Sequence, residues 1–92
     1  MRNTNSTNII QTTSVTTENS LKMRYSLYKT TSRERIFYSI EATLCESNET
    51  VFVPDITGNE AKATRIFDLI VQGTVTPCCM FEVIEDLIES LS

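Results

Sequence analysis

The hydrophobic pattern changes its period once along the chain, and this change constrains the fold more than any other feature. From Leu21 to Val53, apolar and polar residues alternate, which is typical of strands with one buried face. From Thr57 onward, apolar residues recur every three or four positions, which is typical of amphipathic helices. Strands followed by helices predict an α+β fold.

The alternating part predicts three strands, over residues 21–29, 34–44 and 49–53. Polar segments at residues 30–33 and 45–48 separate these strands and predict two turns. Strands joined by short turns pair with their neighbours in the chain. The sequence therefore predicts a three-stranded antiparallel meander, with the second strand in the middle.

The predicted turns also fix which residues face each other. The first turn pairs Leu27 with Ile36, and the second pairs Ala42 with Val51, so that apolar residues share one face. Pro54 has no amide hydrogen to donate to a strand pair, and it is expected to end the third strand.

Two helices are predicted after the strands, and their ends are indicated by particular residues. Thr57 and Glu60 have the spacing of a capping box at the start of the first helix, and Gly73 is expected to end it. Thr76 and Pro77 are typical of the start of a second helix. Each predicted helix has an apolar face that must be buried, and so does one face of the meander. The order βββαα therefore predicts two C-terminal helices packed on one face of the meander.

The first twenty residues differ in composition from the rest, because thirteen of them are Asn, Thr or Ser. Such a segment buries too little apolar surface to offset the entropy of ordering it. We therefore expect a disordered tail over residues 1–20 and a single small domain over residues 21–92. No export signal or membrane-spanning segment is recognisable, so a cytoplasmic location without membrane contact is expected.

The C-terminal half resembles a known family. Asp55-Ile56-Thr57 leads into a helix, and Gly73–Pro77 leads into the stretch Phe81–Asp86. Two predicted strands that are rich in aromatic residues precede these motifs. In this combination the chain resembles a family of small uncharacterised proteins of spore-forming Gram-positive bacteria, catalogued as a domain of unknown function. The resemblance covers about residues 25–91. It implies a short cytoplasmic bacterial protein and brings no catalytic residues with it.

The residue types that enzymes use most are scarce. The chain has no histidine, and its two glycines, Gly58 and Gly73, are too far apart for a phosphate-binding loop. Cys78 and Cys79 could join Cys45 in a thiolate site, but three scattered cysteines without histidine fall short of a zinc pattern. We interpret Cys78 and Cys79 as small structural residues at the start of the second helix, one packed in the core and one at its edge. The sequence predicts no enzyme, metal or cofactor.

Charge is divided along the chain, although the net charge is only −4. Residues 22–35 carry five basic residues and one acid, whereas residues 41–92 carry ten acids and two bases. On the sheet face away from the helices, basic and aromatic residues form a candidate binding surface: Arg24, Tyr28, Arg35, Phe37 and Phe52. This pattern favours a protein-interaction or regulatory module whose partner is another protein or a second copy, giving a possible homodimer.

Two alternatives accompany this interpretation. Exposed aromatic residues among basic ones on strands also bind single-stranded nucleic acid weakly in some folds, although the acidic chain makes this unlikely. The second helix carries an acidic face formed by Glu82, Glu85, Asp86 and Glu89. That face is a secondary candidate interface for a basic partner, or an ordinary solvated surface.

Overall fold

The computed structural model describes residues 6–91. Four strands come first: β1 (Ser6–Thr16), β2 (Lys22–Thr31), β3 (Ile36–Leu44) and β4 (Glu49–Thr57). They are followed by the helix α1 (Glu60–Gly73), a 3₁₀ turn (Pro77–Cys79) and the helix α2 (Met80–Ser90). The predicted α+β class, with an antiparallel sheet and two C-terminal helices, is confirmed, but the sheet has four strands instead of three.

The additional strand is β1, within the segment that composition placed in a disordered tail. It pairs with β2 in antiparallel fashion from Ser6 opposite Thr31 to Thr16 opposite Lys22. The prediction of disorder is therefore wrong for Ser6–Thr16, and residues 1–5 lie outside the described residues. Composition failed here because β1 buries almost no side chain, whereas pairing with β2 satisfies the backbone groups of β1 that face β2. Its many β-branched residues also favour an extended conformation.

The hairpin between β2 and β3 turns later than predicted. Ser32 closes the turn, because both its amide and its hydroxyl donate to the Arg35 carbonyl oxygen at 2.9 Å. Leu27 consequently lies opposite Ile40, four residues along β3 from the predicted Ile36. Because the displacement is an even number of residues, every side chain keeps its predicted face.

The pairing of β3 with β4 follows the predicted register, with Ala42 opposite Val51. Pro54 does not end the strand, which continues to Thr57. The register shifts next to Pro54, and Asp55 has a φ of 55°, so the chain forms a bulge there. A proline is tolerated at this position because β4 is an edge strand and the ladder is already interrupted.

One hydrophobic core lies between the inner face of β2–β4 and the helices. The sheet contributes Met23, Tyr25, Leu27, Tyr38, Ile40, Ala42, Val53 and Ile56, and the helices contribute Ala63, Ile66, Phe67, Ile70, Met80 and Ile84. The opposite face of the sheet, here called the outer face, points away from this core. Both helices in the described part of the chain are too short or too polar to cross a membrane.

The ends of the helices differ in detail from the prediction. The Asn59 side chain caps α1 by accepting a hydrogen bond from the Lys62 amide at 2.9 Å, so the cap is not Thr57. Thr74, with a φ of 49°, takes the left-handed position after the helix that Gly73 was expected to occupy. Pro77 does begin a helical segment, but it is the 3₁₀ turn that precedes α2.

Candidate functional site

The outer face brings together the five residues predicted as a binding surface. Arg24 and Tyr28 lie on β2, Phe37 on β3 and Phe52 on β4, all on the side opposite the core, while Arg35 directly precedes β3. Phe52 is 44% exposed, and Tyr28 and Phe37 are half-buried. We call these five residues the aromatic–arginine surface. Four of them form two small clusters, one around Tyr28 and one around Arg35, while Arg24 lies on β2 outside these contacts.

The first cluster is built around the Tyr28 ring. The ring packs edge-to-face against Phe52, with centroids 5.7 Å apart and planes at 71°. Its hydroxyl donates a hydrogen bond to Glu41 Oε1 at 2.9 Å. Partial burial, together with the Glu41 carboxylate, raises the pKa of Tyr28. The phenol is therefore a fixed, neutral hydrogen-bond donor, and it holds the exposed Phe52 ring in place.

The second cluster is built around the Arg35 guanidinium. Two hydrogen bonds of 2.9 and 2.6 Å join it to the Asp55 carboxylate, and the same group lies 4.6 Å from the centre of the Phe37 ring. The hydrogen bonds from Arg35 lower the pKa of Asp55, and Asp55 in turn raises the pKa of Arg35. Asp55 thus holds Arg35 over the Phe37 ring, and both charges remain accessible to solvent, so Arg35 can still contact a partner.

Sequence reasoning missed two carboxylates of this surface. Glu41 lies directly opposite Phe52, where the predicted β3–β4 register already places it, but it was not recognised as part of the surface. Asp55 could not be found in the same way, because the bulge after Pro54 carries it towards Arg35. The surface therefore combines aromatic rings and arginines with two acids, and it is less basic than the sequence suggested.

Small hydroxyl residues cover much of the remaining outer face. Cross-strand hydroxyl contacts join Thr7 to Thr30 at 3.0 Å and Thr43 to Thr50 at 3.1 Å. Ser39 accepts a hydrogen bond from the Asp55 amide at 3.3 Å. These short side chains form most of their hydrogen bonds within the sheet, and among the larger apolar residues of this face Ile9, opposite Tyr28, is exposed as well.

The acidic residues predicted as a secondary interface lie elsewhere on the molecule. Glu82, Glu85, Asp86 and Glu89 are all exposed on α2, in the helix layer. Three of them, with Ile88, line a shallow open depression. The structure therefore separates the acidic face from the aromatic–arginine surface, with the core between them.

The structure contradicts the prediction that one of the two adjacent cysteines is packed in the core. Cys78 and Cys79 are both exposed in the 3₁₀ turn, with their sulfur atoms 3.9 Å apart. Cys78 also contacts the Thr76 hydroxyl at 3.3 Å. Cys45 is half-buried, and all three cysteines are free. Within residues 6–91, no three His, Cys, Asp or Glu side chains lie close enough together to hold a metal ion.

Comparison with known proteins gives one match. A family model described as "Family of unknown function (DUF6514)" matches residues 5–90. The matched range includes β1 as well as the five elements that make the core, β2, β3, β4, α1 and α2. No curated protein and no solved structure matches the chain.

Proposed function

The chain belongs to the DUF6514 family of unknown function, and we propose that it is a non-enzymatic protein-interaction module that binds through the aromatic–arginine surface. The observation that carries this proposal is that Phe52 remains exposed on the sheet face opposite the core. An exposed aromatic cluster of this kind is typical of an interface. Aromatic and arginine side chains also contribute most of the binding energy in protein complexes.

The order within the surface supports this proposal. Tyr28 packs against Phe52, and Asp55 holds Arg35 over Phe37, so these side chains are held in place before a partner arrives. A preorganised surface loses less side-chain entropy on binding. We expect the partner to place an apolar side chain against the exposed rings and polar groups against Arg24 and Glu41.

Weak binding of nucleic acid through the same hairpin is the alternative, and the acids of the surface count against it. Glu41 accepts a hydrogen bond from the Tyr28 hydroxyl, and Asp55 forms an ion pair with Arg35. Negative charge therefore lies beside the groups that would contact phosphate. A chain of net charge −4 adds to this repulsion. A protein partner suits a surface of mixed charge better.

The proposal extends to the location of the protein. Three free cysteines, two of them exposed, are typical of a reducing compartment. The resemblance to proteins of spore-forming Gram-positive bacteria adds a bacterial cytoplasm to this proposal.

The test replaces the two phenylalanines of the surface. We expect the double variant Phe37→Ser with Phe52→Ser to stay folded, because neither side chain belongs to the core. It should lose the proteins that the wild-type chain captures from a lysate of the source organism. Capture is measured by affinity purification with mass spectrometry, and folding by circular dichroism.

Phe81→Ser is the matched control, because Phe81 is 56% exposed but lies on α2, outside the aromatic–arginine surface. This variant should retain the captured proteins. If the double variant retains them as well, the interface is elsewhere and the proposal is wrong. Binding to a single-stranded oligonucleotide that weakens with added salt and requires Arg24 and Arg35 would favour the alternative.

A further inference from the structure

The two edges of the sheet differ in how they are protected from pairing with other strands. The β4 edge carries three features that discourage such pairing: Pro54, the bulge at Asp55, and the charges of Glu49 and Asp55. The β1 edge has far less protection, because Ser6–Thr16 contains no charged residue, no proline and no glycine. Its one irregularity is the register shift between Ile9 and Gln11.

The β1 edge is also long and open. β1 has eleven residues and lies at the end of the strand order in the described sheet, so only β2 pairs with it. Apart from Thr13 and Val15, its residues are exposed, and Ile9 and Ile10 are 57% and 41% exposed. Along such a strand, about half of the amide and carbonyl groups point away from the sheet and can accept another strand.

We propose that β1 pairs with β1 of a second copy of this chain, antiparallel about a two-fold axis, so that two four-stranded sheets become one. The absence of charge on β1 supports a second copy as the occupant, because two uncharged strands can pair in any register without opposing like charges. Self-pairing of β4 would instead place the charged residues Glu49 and Asp55, together with Pro54, in the pairing.

The difference between the edges also sets the size of the assembly. Each copy has one open edge, and pairing of β1 with β1 consumes both. The remaining edges of the joined sheet are the two protected β4 strands, so growth stops at the dimer. This interface uses the edge of the sheet, is independent of the aromatic–arginine surface, and leaves that surface open on both copies.

The test introduces charges at the middle of β1. In an antiparallel pairing that overlaps along Ser6–Thr16, Gln11 lies on the two-fold axis opposite its own copy, and Thr13 lies diagonally across from Gln11 of the second copy. We expect Gln11→Lys with Thr13→Lys, and separately Gln11→Glu with Thr13→Glu, to weaken dimerisation about tenfold or more. An equimolar mixture of the two variants should restore the dimer, because opposite charges then meet. Sedimentation velocity over a concentration series measures all three samples.

The matched control makes the same change of charge on the protected edge. Glu49→Gln with Thr50→Lys adds two positive charges to β4, as the lysine pair does to β1, and should leave the dimer intact. Circular dichroism checks that every variant is folded.

Four results would overturn the proposal. A wild-type chain that stays monomeric at every concentration would show that the edge accepts no second copy. Dimers unaffected by the charges on β1 would place the interface elsewhere, and dimers lost only with Phe37→Ser and Phe52→Ser would place it on the aromatic–arginine surface. Failure to restore the dimer by mixing two folded variants would show that the copies do not pair through β1.

Discussion

Tyr25 illustrates how a polar group is buried at the scale of a single residue. Its side chain is fully buried, and its hydroxyl donates a hydrogen bond of 2.8 Å to the Val75 carbonyl oxygen. Val75 belongs to the connection between α1 and the 3₁₀ turn, so this bond ties the connection to the sheet. Burial raises the pKa of Tyr25 to about 12, because the ionised phenolate would lose its hydration.

This raised pKa predicts how stability depends on pH. The folded chain holds the phenol proton more tightly than the unfolded chain, so the contribution of Tyr25 is complete below pH 10 and is lost between about pH 10 and 12. The difference corresponds to roughly 3 kcal/mol of unfolding free energy. Urea unfolding of wild type and Tyr25→Phe across this range measures it, since the variant lacks the titrating group.

Tyr25→Phe should also cost about 1–2 kcal/mol at neutral pH, because it leaves the Val75 carbonyl oxygen without its donor. The gap in unfolding free energy between variant and wild type should close and then change sign as the pH rises from 10 to 12, because the wild type loses more over this range than the variant lacks at neutral pH. A gap that stays constant over this range would contradict the assignment of the raised pKa to Tyr25.

Also at the scale of residues, the sequence predicts well which side chains share a face of the sheet. It predicts less well which of those side chains contact each other. Alternation placed Tyr28, Phe37 and Phe52 on the outer face, where they are found. The ion pair of Arg35 with Asp55 was beyond this reasoning, because it depends on the left-handed conformation of Asp55 in a bulge. Alternation assumes a regular strand, and a bulge is a departure from that regularity.

At the scale of elements, the period of the hydrophobic pattern was more informative than the turn residues. Strands and helices were recognised wherever one face is buried, but the β2–β3 turn was misplaced, because Thr30 and Thr31 are as polar as the Ser32–Arg35 turn itself. β1 was missed for the opposite reason. Its side chains contact little, so no burial pattern marks it.

The start of α1 provides a prediction at this scale. Asn59→Ala removes the side chain that accepts from the Lys62 amide, and it should lower the unfolding free energy by about 1 kcal/mol. Thr57→Ala is the comparison, because Thr57 accepts only from the Asn59 amide, before the helix begins. The unfolding free energy of both variants is compared with that of the wild type by urea denaturation. A larger loss for Thr57→Ala would indicate that Thr57 is the cap after all.

At the scale of the whole molecule, the position of β1 changes where the folded unit begins. Composition predicts that removing the N-terminal residues leaves stability unchanged. The structure predicts otherwise, because deleting residues 1–16 opens the edge of β2 and removes the contact of Val15 with the core. We expect a fall in the thermal midpoint of about 5 °C or more.

Deletion of residues 1–5 alone is the control for this truncation, since β1 begins at Ser6. Its midpoint should match that of the full chain. Equal midpoints for all three chains would show that β1 adds no stability and would restore the boundary suggested by composition.

The strand order has a consequence for the time course of folding. Each strand pairs with its neighbour in the chain, and pairings between consecutive strands close short loops at little cost in entropy. A meander of this kind is a topology that forms quickly. β1 contributes almost no apolar side chain to the hydrophobic core that holds the other elements together. We therefore expect β1 to pair with the edge of β2 after the other elements have packed. Accordingly, we expect a stage of folding in which the edge of β2 is still open.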